Sequence, residues 1–182
     1  MRKVLFLFGQ LNDDDVEWMI KTGRRQPVAR GEVLINQGVP VDALFILLEG
    51  RLSVLLGRQE REIARLNAGE IVGEMSFVDA RPPSATVRGL EDAIVFAISK
   101  AVLQSKLERD TGFAARFYRA LAIYLSTTVR ERHRMMNANA SLDDVEDDAD
   151  GGDADELDPN VLDGVYLAGE RFDRMVKRVL AA

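Results

Sequence analysis

Between Pro27 and Ser99 the hydrophobic pattern loses the helical recurrence and breaks into short runs rich in Val, Ile and Leu. "EVLINQ", "ALFILLE", "RLSVLL", "EIARL", "SATVRG" and "DAIVFAI" follow one another, with turn signals at Gly31, Gly38, Gly50, Gly57 and Gly69 dividing most of them. Short, evenly punctuated runs of this kind predict a compact antiparallel barrel or jelly roll. In "LEGRLSVLL" two runs meet across Glu49-Gly50, a tight hairpin in which Gly50 supplies a positive φ.

Helical patterns flank this region. In "LNDDDVEWMI" Asn12 caps a helix, three aspartates fill its first turn, and Leu11 with Val16 forms a staple-like pair. Val16, Met19 and Ile20 share one face, and Gly23 and Pro27 stop the helix near "TGRRQP". The preceding "MRKVLFLFGQ" starts basic, but its apolar stretch is too short for a signal-peptide core and lacks a small-residue cleavage site. It predicts a strand or helix lead-in that packs on the domain.

After the β region, Ser99 is placed to cap "SKAVLQSKLERD", with Val102, Leu103 and Leu107 at helical spacing. "TGFAARFYRALAIYLSTTVRERHRMMNANA" then reads as one helix of roughly 26 residues, about 40 Å long. Its first half is apolar around most of its circumference, whereas a helix lying on a barrel needs one apolar stripe. A second buried side predicts a second copy of the same helix, with Phe117, Leu121, Tyr124 and Thr128 as the seam of a homodimer. The alternative is one domain that buries both sides itself. The expected fold class is α+β: an antiparallel β jelly-roll barrel over residues 1–140, with an N-terminal helix and two C-terminal helices, the last long.

Charge is unevenly distributed. The 182 residues carry a net charge of −6, yet Asp143 to Asp158 holds ten acidic residues and no basic one. The rest of the chain, with 24 basic and 20 acidic residues, is mildly positive. Residues 141–158 therefore read as a solvated acidic linker. The stretch is a poor calcium loop. With Glu146, Asp148, Asp150 and Gly151 at positions one, three, five and six, Leu157 falls where a bidentate glutamate is needed.

Residues 159–182 predict an amphipathic helix opened by Asp158-Pro159. Its stripe is Val161, Val165, Phe172, Val176 and Val179, with Arg171, Arg174, Lys177 and Arg178 elsewhere. Gly164 and Gly169 weaken it by about 1 kcal/mol each relative to alanine, so it needs something to dock on. That is its own dimer or a separate protein partner. A membrane-surface role is opposed by Asp163, Glu170 and Asp173, and no apolar run approaches the roughly 18 residues of a span. Cysteine is absent, which excludes disulfides and thiolate chemistry, and a cytoplasmic location is the simplest expectation. The single histidine, His133, sits among "RERHRMM" with no nucleophile or metal cluster beside it, so neither an enzyme nor a metal site is expected.

One further stretch carries a site. "GEMSFVDARPPSATV", Gly73 to Val87, places a Gly-Glu corner a short distance before a Pro-Pro-Ser-Ala-Thr return. With "GEVLINQGVPVDALFILLEGRLSVLL" ahead of it and a helix pair after it, the chain resembles the cyclic-nucleotide-binding domain family over about Phe6 to Met136. That family includes catabolite activator proteins, kinase regulatory subunits and cyclic-nucleotide-gated channels. Its cassette runs Gly-Glu, several small or apolar residues, then Arg-Ser/Thr-Ala.

The resemblance implies a ligand site formed by Gly73, Glu74, Met75, Ser76, Ser84 and Ala85. Glu74 would accept a ribose hydroxyl. The short helix starting there and Ser84 would face a cyclic phosphate, as in cAMP or cGMP. Thr128 matches a position that reaches the base across the dimer in some members. The pattern departs from the family where its phosphate-pairing arginine falls on Pro83, which has neither charge nor N–H. Charge-assisted hydrogen bonds contribute about 1.5–3 kcal/mol each, so phosphate affinity should drop roughly tenfold to a few hundredfold. Arg81, two residues earlier, is the only nearby replacement in the cassette.

The DNA-binding members carry a winged helix-turn-helix after the long helix. About 45 residues remain here, many of them acidic, so no DNA partner is expected. The sequence therefore supports a non-catalytic sensor that signals through its long helix and tail to a protein partner. The alternative is a ligand-independent dimeric adaptor whose Pro83 records the loss of phosphate recognition.

Overall fold

The computed structural model describes residues 3–79, 81–140 and 159–181, without the side chains of 131–140, 159–163 and 165. The acidic stretch 141–158 and the His133 side chain lie outside the described residues. Two helices open the chain, α1 (Lys3–Gln10) and α2 (Asp13–Thr22). Eight strands follow: β1 (Arg24–Val28), β2 (Val33–Ile35), β3 (Ala43–Glu49), β4 (Arg51–Leu56), β5 (Arg61–Asn67), β6 (Ile71–Val72), β7 (Thr86–Gly89) and β8 (Ala93–Ser99). Then come α3 (Lys100–Arg109), α4 (Thr111–Ala140) and α5 (Pro159–Leu180).

The strands form two four-stranded antiparallel sheets, ordered β1-β8-β3-β6 and β2-β7-β4-β5. The pairs β1·β8, β2·β7, β3·β6 and β4·β5 are the nested pairings of a jelly roll. Gly50 has φ 81° at the expected hairpin between β3 and β4. The lead-in resolves as a helix, so two helices rather than one precede the sheets.

Burial explains why β3 reads as a continuous apolar run instead of alternating. Its even residues Leu44, Ile46 and Leu48 join the core shared with the helices. Its odd residues Ala43, Phe45 and Leu47 join the core between the sheets. β8 behaves likewise, with Phe96 and Ile98 toward the helices and Val95 and Ala97 inward. The central strands β8 and β3 of the sheet β1-β8-β3-β6 are thus covered on both faces. β5, by contrast, is an edge strand with six of its seven residues exposed, its charged side chains discouraging further pairing.

Helix α2 begins with the expected cap. The Asn12 side chain accepts from Asp15 N, and the Asp15 carboxylate accepts from Asn12 N, both at 2.9 Å. That carboxylate is also gripped by the Arg116 guanidinium at 2.6 and 2.9 Å, which ties α2 to α4. Ser99 precedes α3 as expected but makes no side-chain cap; Lys100 N instead donates to Asp42 O at 2.7 Å.

Two expectations change. Phe117 and Leu121 are buried in this chain's own core beside Phe77 and Phe113, so they are not a free surface for a second copy. Tyr124 is half-buried, and Thr128 Oγ1 donates to Tyr124 O. Ala115, Tyr118, Ala122 and Val129 are the exposed apolar residues of α4 among those described, with Leu125 half-buried among them. Helix α5, for its part, is docked within the chain. Ala168, Phe172, Met175 and Val179 pack into the core with Val4, Leu7, Phe8 and Leu11 of the N-terminal segment. Arg171 Nη1 donates to Phe8 O and Leu11 O at 2.8 and 2.7 Å, while Arg171 and Arg174 pair with Asp13 and Arg178 with Glu17.

Candidate functional site

Gly73 closes β6 with φ 88°, and a Cβ there would lie 2.5 Å from Ala43 O. Only glycine fits, on both counts. The turn it makes starts a single 3₁₀ turn, Glu74–Phe77, held by Ser76 Oγ donating to Gly73 O at 2.7 Å. Phe77 anchors the far end against Phe117 of α4, edge to face with ring centroids 5.8 Å apart. The Gly-Glu corner is therefore fixed at one end by backbone geometry and at the other by an aromatic contact.

A cavity of about 380 Å³ opens beside this corner. Its walls are the inward residues Ile35, Val41, Val54, Leu66, Val72 and Val87. Its rim and polar end comprise Gly73, Glu74, Met75, Ser76, Asp79, Arg81, Pro82, Pro83, Ser84 and Ala85, together with Lys3. All the cassette residues expected at a site are brought together. Thr128 is not among the lining residues of its own chain's cavity.

The Glu74 carboxylate is buried, and its partner comes from the opposite end of the sequence. Lys3 Nζ lies 3.4 Å from Glu74 Oε1, donates to Ile71 O at 3.1 Å, and sits 4.8 Å from the centroid of the Tyr124 ring. Burial works against the ammonium, but the charge of Glu74 and the Tyr124 side chain outweigh it and hold the Lys3 pKa above its ordinary value. Lys3 was not among the residues picked from the sequence. Its separation of 71 residues from Glu74 leaves no periodic signal, and "MRK" reads only as a basic start.

At the other end of the cassette, Gly38 N donates to Pro83 O at 2.9 Å, fastening the Pro-Pro segment to the loop after β2. The Arg81 side chain does not turn inward; it is 88% exposed and reaches Asp79 at 3.9 Å. The corner beside Pro83 and Ser84 is thus lined by apolar and hydroxyl groups, with the Arg81 guanidinium out in solvent beside Asp79. Among the described residues, no group of three or more His, Cys, Asp or Glu is placed to hold a metal ion, and no helix is long and apolar enough to cross a membrane.

Comparison with known proteins agrees with this geometry. Residues 25–110 match the family model described as cyclic nucleotide-binding domain. The cAMP-dependent protein kinase regulatory subunit of Blastocladiella emersonii is 26% identical over 144 residues, 75% of this chain and 36% of that protein. The cyclic AMP receptor protein of Thermus thermophilus is 32% identical over 95 residues, 50% of this chain and 44% of that protein.

Among solved structures, the N-terminal domain of a transcriptional regulator from Streptomyces coelicolor A3(2) superposes with a TM-score of 0.59 at 28% identity, covering 72% of this chain and 95% of that one. The catabolite activator protein of Thermus thermophilus shares the fold, with a TM-score of 0.60 at 21% identity over 97% of this chain and 87% of that one. Over residues 25–110, the stretch that holds the jelly roll and the cassette, the chain is similar to the cyclic nucleotide-binding domain family. It spans about a third or less of the length of the first curated relatives it matches.

Proposed function

We propose that this chain is a non-catalytic regulatory module in which a nucleotide-type ligand enters the cavity beside Glu74 and its presence is passed to a protein partner through the helices. One observation carries this reading: the Lys3–Glu74 ion pair joins the cassette to α1, with Tyr124 of α4 against the same ammonium. A ligand hydroxyl donating to Glu74 competes with Lys3 for that carboxylate. The helix that carries Lys3 also carries α5, through Phe8 against Phe172 and the Arg171 bonds to Phe8 O and Leu11 O. Occupancy then shifts the population between two packings of helices on sheet, by as much as the ligand's affinity for the two differs.

The module acts as a homodimer in this reading. Ala115, Tyr118, Ala122, Leu125 and Val129 recur at 3-4-3-4 spacing on the outward side of α4, the spacing of a two-helix seam. Calorimetry with cAMP, cGMP and cyclic dinucleotides tests the ligand claim: a micromolar site abolished by Glu74→Ala supports it. The second reading, a ligand-independent adaptor, is favoured by Pro83 at the phosphate corner. It predicts no heat at millimolar ligand from a folded sample.

A further inference from the structure

We infer that the cavity selects an uncharged, hydroxyl-bearing ligand of nucleoside size over the corresponding cyclic phosphate. The inference rests on the sensor reading above and narrows its ligand.

Four charged side chains line the cavity: Lys3, Glu74, Asp79 and Arg81. Their formal charges cancel, so the lining offers no net attraction to an anion. Neither cation is free to meet one. Lys3 donates to Ile71 O and to the Glu74 carboxylate and stands against the face of Tyr124. Arg81 stands at the rim in solvent, next to Asp79.

At the corner that would receive a phosphate stands the Pro83 ring, which has neither charge nor N–H, and the Pro83 carbonyl accepts from Gly38 N. An anion placed there would leave water without gaining a charged partner, which is unfavourable. On the same lining Glu74, a buried acceptor-only group, calls for a ligand that brings hydroxyl donors. The aliphatic walls suit a flat apolar ring system. A ribonucleoside combines these features in a volume that about 380 Å³ accommodates.

The test is calorimetry of the full chain with the four common ribonucleosides, their 2′-deoxy forms and their 3′,5′-cyclic monophosphates. The expected result is that at least one ribonucleoside binds no more weakly than its cyclic monophosphate and loses about tenfold or more in its 2′-deoxy form. Pro83→Arg should then raise cyclic monophosphate affinity tenfold or more relative to that of the nucleoside. Cyclic monophosphates tighter than every nucleoside by tenfold in the unaltered protein would overturn the inference and leave the sensor reading intact. A 2′-deoxy form as tight as its parent would overturn the hydroxyl requirement. No binding of any compound at millimolar concentration removes the sensor reading, and this inference with it.

Discussion

Gly9 of α1 and Gly164 of α5 face each other at a helix crossing, where a Cβ on either would stand 3.2 Å from the other's carbonyl oxygen. The two backbones therefore approach more closely than side chains would allow. The glycine that weakens α5 as an isolated helix is the one that lets it dock.

Gly164→Leu should wedge the crossing apart and cost about 1–3 kcal/mol, the usual range for overpacking. Gly169 has nothing within 4 Å of a built Cβ, so Gly169→Ala should stabilise by up to about 1 kcal/mol through helix propensity alone. Urea unfolding of the two variants checks both. Equal effects would mean that α5 does not sit against α1.

Asp15 serves two roles, completing the α2 capping box and receiving Arg116. Asp15→Ala removes a cap, typically about 1 kcal/mol, and charge-assisted bonds of about 1.5–3 kcal/mol each, which do not add fully. A loss of about 2–4 kcal/mol is expected from denaturant midpoints. Arg116→Ala should cost less in the Asp15→Ala background than alone, because the pair is coupled.

The two sides of α4 should respond differently. Phe117→Ala empties a fully buried site and should cost about 3–5 kcal/mol of stability. Tyr118→Glu with Leu125→Glu should leave the fold intact and convert a dimer to a monomer in sedimentation equilibrium. A wild-type chain that sediments as a monomer at high micromolar concentration would remove the proposed seam.

Docking of α5 should depend on acid. Hydrogen bonds from Arg171 and then Arg174 hold Asp13 below its ordinary pKa of 3.8, and Arg178 lowers Glu17 in the same way. A carboxylate lowered on folding adds stability that is fully present above its unfolded pKa and is lost as pH falls through the folded value. The Phe8–Phe172 contact, followed by nuclear Overhauser effects, should therefore be constant from neutral pH to about pH 5 and weaken below about pH 4. Asp13→Asn should reduce that pH dependence.

Much of the fold was legible because glycines separate the strands, and β3, β4 and β8 fall where the apolar runs place them. β1 was obscured by Pro27 and two arginines, which are tolerated because it is an edge strand paired only with β8. β6, with two residues, is too short to show periodicity. The cassette was readable as a local motif, whereas Lys3 entered the site from a distant part of the chain. The residues expected as a seam on α4 include Phe117 and Leu121 of this chain's own core, because Phe117, Leu121 and Tyr124 recur with the spacing of any buried helical stripe. Periodicity groups residues on one side of a helix without revealing what covers that side.

The sheet β1-β8-β3-β6 works as a party wall. Phe45 presses on the core between the sheets while its neighbour Ile46 presses on the helices. Apolar side chains pack on both sides of these strands, and a close-packed interior compresses little. A molecule that swells one room must therefore shift furniture in the next.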